Sequence, residues 1–384
     1  EDKVETIKII IDNEINSLKG LFRECSFIQS IKFIRFNVYN ITDMSEMFLN
    51  CGSVSNLNLS IFRTDKVTDM NSMFYHCWSL QELNISNFNT TNVKNMRQMF
   101  SKCEALKKLD LSNFNTKNVT DMSSMFFECT SLKELNLSNF NTNNVIYMDY
   151  MFYDCSSLPK LNVSSFNTKN VIDMRAMFSE CKSLKELNLS NFNASKVTNM
   201  EEMFNYCSLL EELDLSNFNP INVKEMKKLF FNCSSLKKIN LSNFNTKSVI
   251  NMQEMFYQCK SLDELNLSYF NTHNVTNMNK MFYYCTSLKE LNLSNFSGDE
   301  VVDMESMFNN CSSLKKLNLA NFRNKRITNV EYMCFNCVYL EELDISNFDK
   351  KKLKNTEFIF TGCSLLKKIG QLNFKVGNSK CICF

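Results

Sequence analysis

Cysteine is the residue of this chain that could carry chemistry and whose spacing is most regular. Neither histidine, His76 or His273, supplies the spacing of a zinc site. If the regularly spaced cysteines lie on short helices packed side by side, their equivalent positions would be about 8–10 Å apart. This distance is beyond the roughly 7 Å between Cα atoms that a disulfide spans. We therefore expect reduced thiols that pack as small hydrophobic side chains, with no disulfide and no metal. Fourteen of them follow one another at intervals of 26 residues: Cys25, Cys51, Cys77, Cys103, Cys129, Cys155, Cys181, Cys207, Cys233, Cys259, Cys285, Cys311, Cys337 and Cys363.

The last four residues, Cys381-Ile382-Cys383-Phe384, lie outside this spacing. A cysteine four residues from the end is the C-a-a-X arrangement, and phenylalanine at X favours geranylgeranylation. We predict prenylation of Cys381, and a second acylation at Cys383 would make membrane attachment stable. Numerous reduced thiols indicate synthesis in the cytosol. These features favour a lipid-anchored chain at the cell membrane, on either the cytoplasmic leaflet or the cell surface.

The composition offers little from which an active site could be built. The chain has two histidines, no glycine-rich phosphate loop and no paired carboxylates outside the repeat. A formal net charge of +2 gives no reason to expect nucleic acid as a partner, and no apolar run approaches the roughly 18 residues that span a bilayer. We predict a non-catalytic protein without a cofactor or a small-molecule substrate.

The 26-residue period predicts a solenoid, in which each repeat buries its apolar face against its neighbours. In residues 132–155, leucines that alternate with polar residues predict a short strand. Val145, Met148, Met151 and Cys155 follow at spacings of three and four, which predicts one face of a short helix. The expected fold is an α/β leucine-rich-repeat solenoid with a parallel sheet on the concave side and short helices on the convex side.

The run L-x-x-L-N-L-S-N-F-N-T-x-N-V-T-x-M-x-x-M-F-x-x-C resembles the repeat of BspA-like leucine-rich-repeat surface proteins. It recurs almost unchanged at 106–129, 132–155, 184–207 and 288–311. The resemblance implies surface or membrane association and a role in adhesion or recognition. Familiar leucine-rich repeats carry asparagine nine positions into this core, whereas the BspA-like subtype carries phenylalanine. A phenylalanine stack is therefore expected in place of the asparagine ladder, formed by Phe88, Phe114, Phe140, Phe192 and Phe244.

Polar residues between the strand leucines form the candidate binding face. Oppositely charged pairs alternate from Glu211 to Glu264 and from Lys315 to Lys368, and they either hold the repeats in register or recognise a partner. Rows of Asn/Asp and of Ser form either side-chain ladders or a polar binding floor. The candidate face comprises Glu134, Asn136, Ser138, Glu186, Asn188, Ser190, Glu212, Asp214 and Ser216. Candidate aromatic contacts are Trp78, Tyr147, Tyr150, Tyr206, Tyr269, Tyr284 and Tyr332.

These patterns divide the chain into four segments. Residues 1–24 are a partial N-terminal repeat, 25–363 are thirteen repeats, 364–375 are a capping rung, and 376–384 are a flexible tail that carries the C-a-a-X sequence. The preferred hypothesis is a module for protein binding, adhesion or recognition, anchored to a membrane by prenylation. The alternative is a soluble cytosolic scaffold for protein–protein interaction.

Overall fold

The alternating leucines form the short parallel strands of a β-solenoid with about 12 turns. The computed structural model describes residues 15–34, 39–322, 325–348, 351–370 and 372–373. Each strand has two or three residues because a turn of 26 residues must bend several times to return to its start. The strands are β1 Asn56–Asn58, β2 Glu82–Asn84, β3 Lys108–Asp110, β4 Glu134–Asn136, β5 Lys160–Leu161, β6 Glu186–Leu187, β7 Glu212–Asp214, β8 Lys238–Asn240, β9 Lys316–Asn318, β10 Glu342–Asp344, β11 Lys368–Ile369 and β12 Leu372–Asn373.

The strands pair with a register of one repeat, so that Lys108 lies opposite Glu134. The sequence predicts a single continuous sheet, but the strands form five separate sheets along the stack. Four have two strands each, β1-β2, β3-β4, β5-β6 and β7-β8, and the last has four strands in the order β12-β11-β10-β9. All pairs are parallel except β11 and β12, which are antiparallel and meet at Gly370 with a φ of 57°. This hairpin ends the described ladder on the strand side.

The predicted helices are wrong: within the described residues, the Met-x-x-Met-Phe-x-x-Cys segments consist of turns. Their amides hydrogen-bond to the next turn of the solenoid, as the N–H groups of Ser124 and Glu128 do to the carbonyl oxygens of Asp149 and Tyr153, at 2.8 and 2.7 Å. Ser124 and Glu128 both have a φ of 54°, in the left-handed region. An α-helix would need right-handed residues throughout and i→i−4 bonds. The fold is therefore a β-solenoid and not an α/β repeat.

One pair of left-handed residues, four positions apart, recurs in every turn from Gly20 and Glu24 to Phe358 and Gly362. Every second N–H group of these segments donates to a backbone carbonyl oxygen of the following turn. Isolated parallel bridges at the start of each segment connect the turns from Ser17↔Asp43 to Asn329↔Asn355. A second ladder therefore holds the stack on the side opposite the strands.

The core lies between the two ladders and consists of the repeated Leu, Phe, Val, Met and Cys side chains. Phe140 is 2% exposed, and its ring stacks on that of Phe166 at 6.2 Å between centroids. The predicted phenylalanine stack is confirmed from Phe140 to Phe218 and from Phe244 to Phe322. A second stack runs beside the first, where Phe126 and Phe152 lie 5.5 Å apart. Each phenylalanine therefore packs against its equivalents in neighbouring turns, as nearest-neighbour stabilisation of a solenoid requires.

Candidate functional site

The predicted candidate face lies on the exposed surface of the strands. A groove of about 840 Å³ crosses β6, β7 and β8, and Lys185, Glu211 and Lys238 contribute charged side chains to it. Glu134, Asn136 and Ser138 are also exposed but lie on β4 and directly after it, outside this groove. The structure therefore brings together the other six predicted residues, which all line the groove: Glu186, Asn188, Ser190, Glu212, Asp214 and Ser216.

Charged side chains on this face pair between successive turns. Lys237 Nζ lies 2.7 Å from Glu211 Oε2, and Lys238 Nζ lies 3.2 Å from Glu212 Oε1. The predicted pairing of alternating charges is confirmed in this region and recurs at Lys108–Glu134, Lys289–Asp263, Lys316–Glu342 and Lys367–Glu341. Among the described residues, Glu186 has no ion pair. The groove therefore carries both neutralised pairs and a free carboxylate.

Among the described residues, the Asn/Asp row does not form a regular ladder between turns, although Asn136 also bonds to Asp110 one turn back. Its side chains accept hydrogen bonds within their own turn instead: the N–H of Ser216 donates to Asp214 Oδ1 at 2.9 Å, and that of Ser190 donates to Asn188 Oδ1 at 3.0 Å. Because Asn and Asp side chains readily bond to the backbone two residues later, they fix the turn after each strand. The bond from the Ser112 amide likewise lowers the pKa of Asp110. The row therefore has a structural role, and most of its residues remain exposed.

An amide ladder does exist, at a position that the sequence analysis overlooked. In most repeats, the asparagine before the core phenylalanine donates from Nδ2 to a backbone carbonyl one turn back, as Asn217 does to Ser190 at 2.6 Å and Asn243 does to Ser216 at 2.8 Å. The phenylalanine stack therefore accompanies an asparagine ladder rather than replacing it. The recurrence of this asparagine in most repeats was the available signal.

The cysteines of the repeat are free thiols that bridge successive turns. Cys129 Sγ donates to the carbonyl of Phe100 at 3.1 Å, and Cys233 Sγ donates to that of Phe204 at 3.1 Å. Burial raises the pKa of both thiols to about 12, so they stay protonated and unreactive at neutral pH. Cys25, in the first described turn, is half-buried, in contrast to the prediction that all fourteen are buried.

Cys334 is a further buried thiol that the sequence analysis missed, because it lies off the 26-residue spacing. It occupies a core position that Phe308 holds one repeat earlier, three residues before Cys337. Cys363 Sγ donates to its carbonyl oxygen at 2.9 Å. In the part of the chain that the structure describes, no group of three or more His, Cys, Asp or Glu residues could hold a metal ion.

The candidate aromatic contacts fall into two groups. Trp78, Tyr147 and Tyr269 are 38%, 42% and 55% exposed. Tyr150, Tyr206, Tyr284 and Tyr332 are half-buried on the side opposite the strands. There they join aromatic neighbours that the sequence analysis did not single out: Phe127 stacks on Tyr153 at 4.8 Å, and Phe231, Tyr257 and Tyr283 stack at 4.3 and 4.6 Å. Because the half-buried rings cover each other's faces, they are less accessible to a partner than Tyr269, which is the most exposed of the seven candidates.

The predicted lipidation sites, Cys381 and Cys383, lie outside the described residues. Within them, no helix is both long and apolar enough to cross a membrane.

A protein-family model described as "Mycoplasma protein of unknown function, DUF285" matches residues 16–111, 102–212, 182–290, 207–316 and 263–374. The overlapping matches extend over nearly the whole chain. They confirm the resemblance drawn from the repeated sequence, since this model covers the same repeats.

Several solved structures are similar at low sequence identity. A leucine-rich repeat protein from Bacteroides ovatus is 20% identical, with 88% of this chain and 84% of that chain covered and a TM-score of 0.43. A leucine rich cell surface protein from Faecalibacterium prausnitzii is 15% identical, with 86% and 76% covered and a TM-score of 0.31. An internalin from Listeria monocytogenes is 15% identical, with 85% and 89% covered and a TM-score of 0.26. A comparison with curated protein sequences finds no significant match.

Proposed function

We propose that this chain, which belongs to the DUF285 family, is a non-catalytic protein-binding module that recognises its partner with the strand face over β6, β7 and β8. The groove on this face carries the proposal, because six residues selected from the sequence as candidate contacts line it together. Its floor is rigid, since each strand is held by backbone bonds and by the turn-fixing Asn/Asp side chains. A preorganised surface loses little conformational entropy when a partner binds.

The charges of the groove give it specificity. Glu211 and Glu212 are neutralised by the lysines of the next turn, whereas Glu186 has no ion pair among the described residues. A partner that places a basic side chain near Glu186 gains an interaction without first breaking an existing pair. Complementary charges of this kind contribute chiefly to association rate and to rejection of wrong partners.

Site-specific photo-cross-linking in the native host tests this proposal. A photoreactive residue at Glu186 or Ser190 should yield one defined protein adduct, whereas the same residue at Lys227, on the opposite side of the solenoid, should not. Binding of the identified partner should then be lost in Glu186→Lys and retained in Glu134→Lys, which changes the same residue type outside the groove. Adducts that form equally from both sides of the solenoid would contradict the assignment.

Membrane attachment is a separate part of the proposal and rests on the sequence Cys381-Ile382-Cys383-Phe384. A geranylgeranyl group on Cys381, with a second acyl chain on Cys383, would hold the module at a membrane. Adhesion would then describe its role better than soluble scaffolding. The soluble scaffold is the function that remains if the cysteine is unmodified.

A further inference from the structure

A second groove lies beside the strand face, at the point where the repeat loses three of its regular hydrogen-bonding partners. It has a volume of about 570 Å³ and is lined by five asparagines, a serine, Lys247 and Tyr269. It meets the groove of the strand face at Ser216 and Asn217. We call it the flank groove.

In a regular repeat, a buried threonine connects each turn to the next. Thr168 Oγ1 accepts the N–H of Asn193 at 2.7 Å and donates to its carbonyl oxygen at 2.9 Å. The two following repeats carry Ala194 and Pro220 at this position. The backbone N–H and carbonyl groups of Asn219 and Asn245, 25 residues later, therefore have no threonine hydroxyl to bond with.

The consequences appear in the groove itself. The N–H of Ile221 donates to the backbone carbonyl of Asn219 at 2.8 Å, whereas in the next repeat the N–H of Lys247 donates to the Asn245 side chain at 3.0 Å. The Asn219 side chain has no hydrogen bond within the described residues, and neither has the carbonyl oxygen of Asn245. An amide side chain and a peptide carbonyl are thus left to bind a ligand.

Tyr269 removes a third partner. It stands where the ladder has asparagine, so the carbonyl oxygen of Ser242 receives no amide from the following turn. The tyrosine ring is 55% exposed at the same groove. Apart from Lys247, the lining has no charged side chain, which disfavours a metal ion or a nucleic acid.

We infer that the flank groove binds a pyranose oligosaccharide. Its hydroxyl groups are both donors and acceptors, so they can satisfy the Asn219 amide and the Asn245 carbonyl together. The C–H face of a sugar ring can pack on the exposed ring of Tyr269, as ligand sites commonly combine an aromatic surface with a few polar groups. Lys247 also lines the groove and can form an ion pair with the carboxylate of an acidic sugar. This site adjoins the proposed protein-binding face and shares Ser216 and Asn217 with it.

Saturation-transfer NMR and calorimetry with four hexasaccharides test the inference: maltohexaose, cellohexaose, chitohexaose and a hyaluronan hexasaccharide. At least one should bind the full chain, and Tyr269→Asn should weaken its binding about tenfold or more through loss of the aromatic contact. Pro220→Thr should also weaken it, because the new hydroxyl engages Asn245. Both variants restore the regular repeat residue, so they should fold at least as stably as the natural chain.

The control variants separate the groove from a merely adhesive surface. Ser165→Asn restores the same ladder outside the groove, and Tyr339→Asn removes a ring that is 56% exposed elsewhere. Both should bind the sugar unchanged. Preference for the hyaluronan probe would assign a carboxylated ligand, and preference for the others a neutral one. The inference is overturned if none of the four probes binds, or if Tyr269→Asn binds as well as the natural chain.

Discussion

Cys129 Sγ donates a hydrogen bond to the carbonyl oxygen of Phe100, 29 residues earlier, at 3.1 Å. The same carbonyl accepts the N–H of Cys103 in its own turn at 3.2 Å. Equivalent bonds recur from Cys51 to Cys337 at 3.0–3.3 Å. The buried thiol therefore acts as a donor between turns as well as a small apolar side chain, which explains why the position is cysteine rather than alanine or valine.

Burial of these thiols predicts a loss of stability at alkaline pH. Desolvation raises the pKa of Cys129 in the folded chain from 9.0 to about 12. The unfolded chain therefore loses this proton first, and stability is full below pH 9 and falls as the pH rises toward 12. Each such thiol contributes a slope of about 1.4 kcal/mol per pH unit. Urea unfolding between pH 9 and 12 measures how the free energy of unfolding changes with pH. Cys129→Val should reduce this slope by the contribution of one thiol. The slope of the natural chain and of the variant should differ; identical slopes would contradict the assignment.

Replacement of Phe140 by alanine should lower the free energy of unfolding by about 3–5 kcal/mol, because it removes a fully buried ring and leaves a cavity. Phe140 stacks on Phe166, so protection from hydrogen exchange should fall in the neighbouring turns as well. Phe127→Ala, at a half-buried surface ring, is the matched control and should cost less. A loss below about 1 kcal/mol at Phe140 would show that its ring is not part of the core.

The period, the strands and the inward-facing side chains could be predicted from the sequence because they depend on apolar spacing alone. The helices could not be excluded in the same way. Met122, Met125, Phe126 and Cys129 occur at spacings of three and four, which place side chains on one side of either a helix or a chain of alternating turns. Apart from Gly20 and Gly362, the left-handed positions are occupied by residues such as Ser124 rather than glycine. No local residue therefore marks the difference, which depends on bonds to the next turn.

The exposure of the strand-face residues was predicted better than their hydrogen bonds. Period-two alternation correctly places Glu186 and Asp214 on the surface. Alternation does not reveal that Asp214 bonds to the amide of Ser216, or that Asn217 rather than its neighbours forms the amide ladder. The flank groove depends on missing partners in three different repeats, at Ala194, Pro220 and Tyr269. A comparison of repeats position by position could have found these departures, but only the structure shows that Asn219, Asn245 and Tyr269 line one groove.

Cys381→Ser should release the protein from membranes if the cysteine carries a geranylgeranyl group. A single prenyl chain gives weak, reversible attachment, so Cys383→Ser alone should have a smaller but measurable effect. Fractionation of the native host measures both, and mass spectrometry of the C-terminal peptide identifies the modification. Equal fractionation of the natural chain and the Cys381→Ser variant, or an unmodified Cys-Ile-Cys-Phe terminus, would leave the soluble scaffold as the function.

The left-handed residues of the turn ladder give the sharpest test of the corrected fold. Ser124 has a φ of 54°, and its amide donates to the next turn at 2.8 Å. Glycine adopts this conformation without steric cost, so Ser124→Gly should leave stability unchanged or raise it by up to about 1 kcal/mol. Valine is strained there, so Ser124→Val should lower stability by about 1–3 kcal/mol.

Ser131, in the same repeat but without a positive φ, is the control: Ser131→Gly should destabilise by about 0.5–1 kcal/mol. Chemical denaturation compares the three. If Ser124 were in a helix, the order would reverse, with glycine the more damaging substitution because its helix propensity is lower than that of valine.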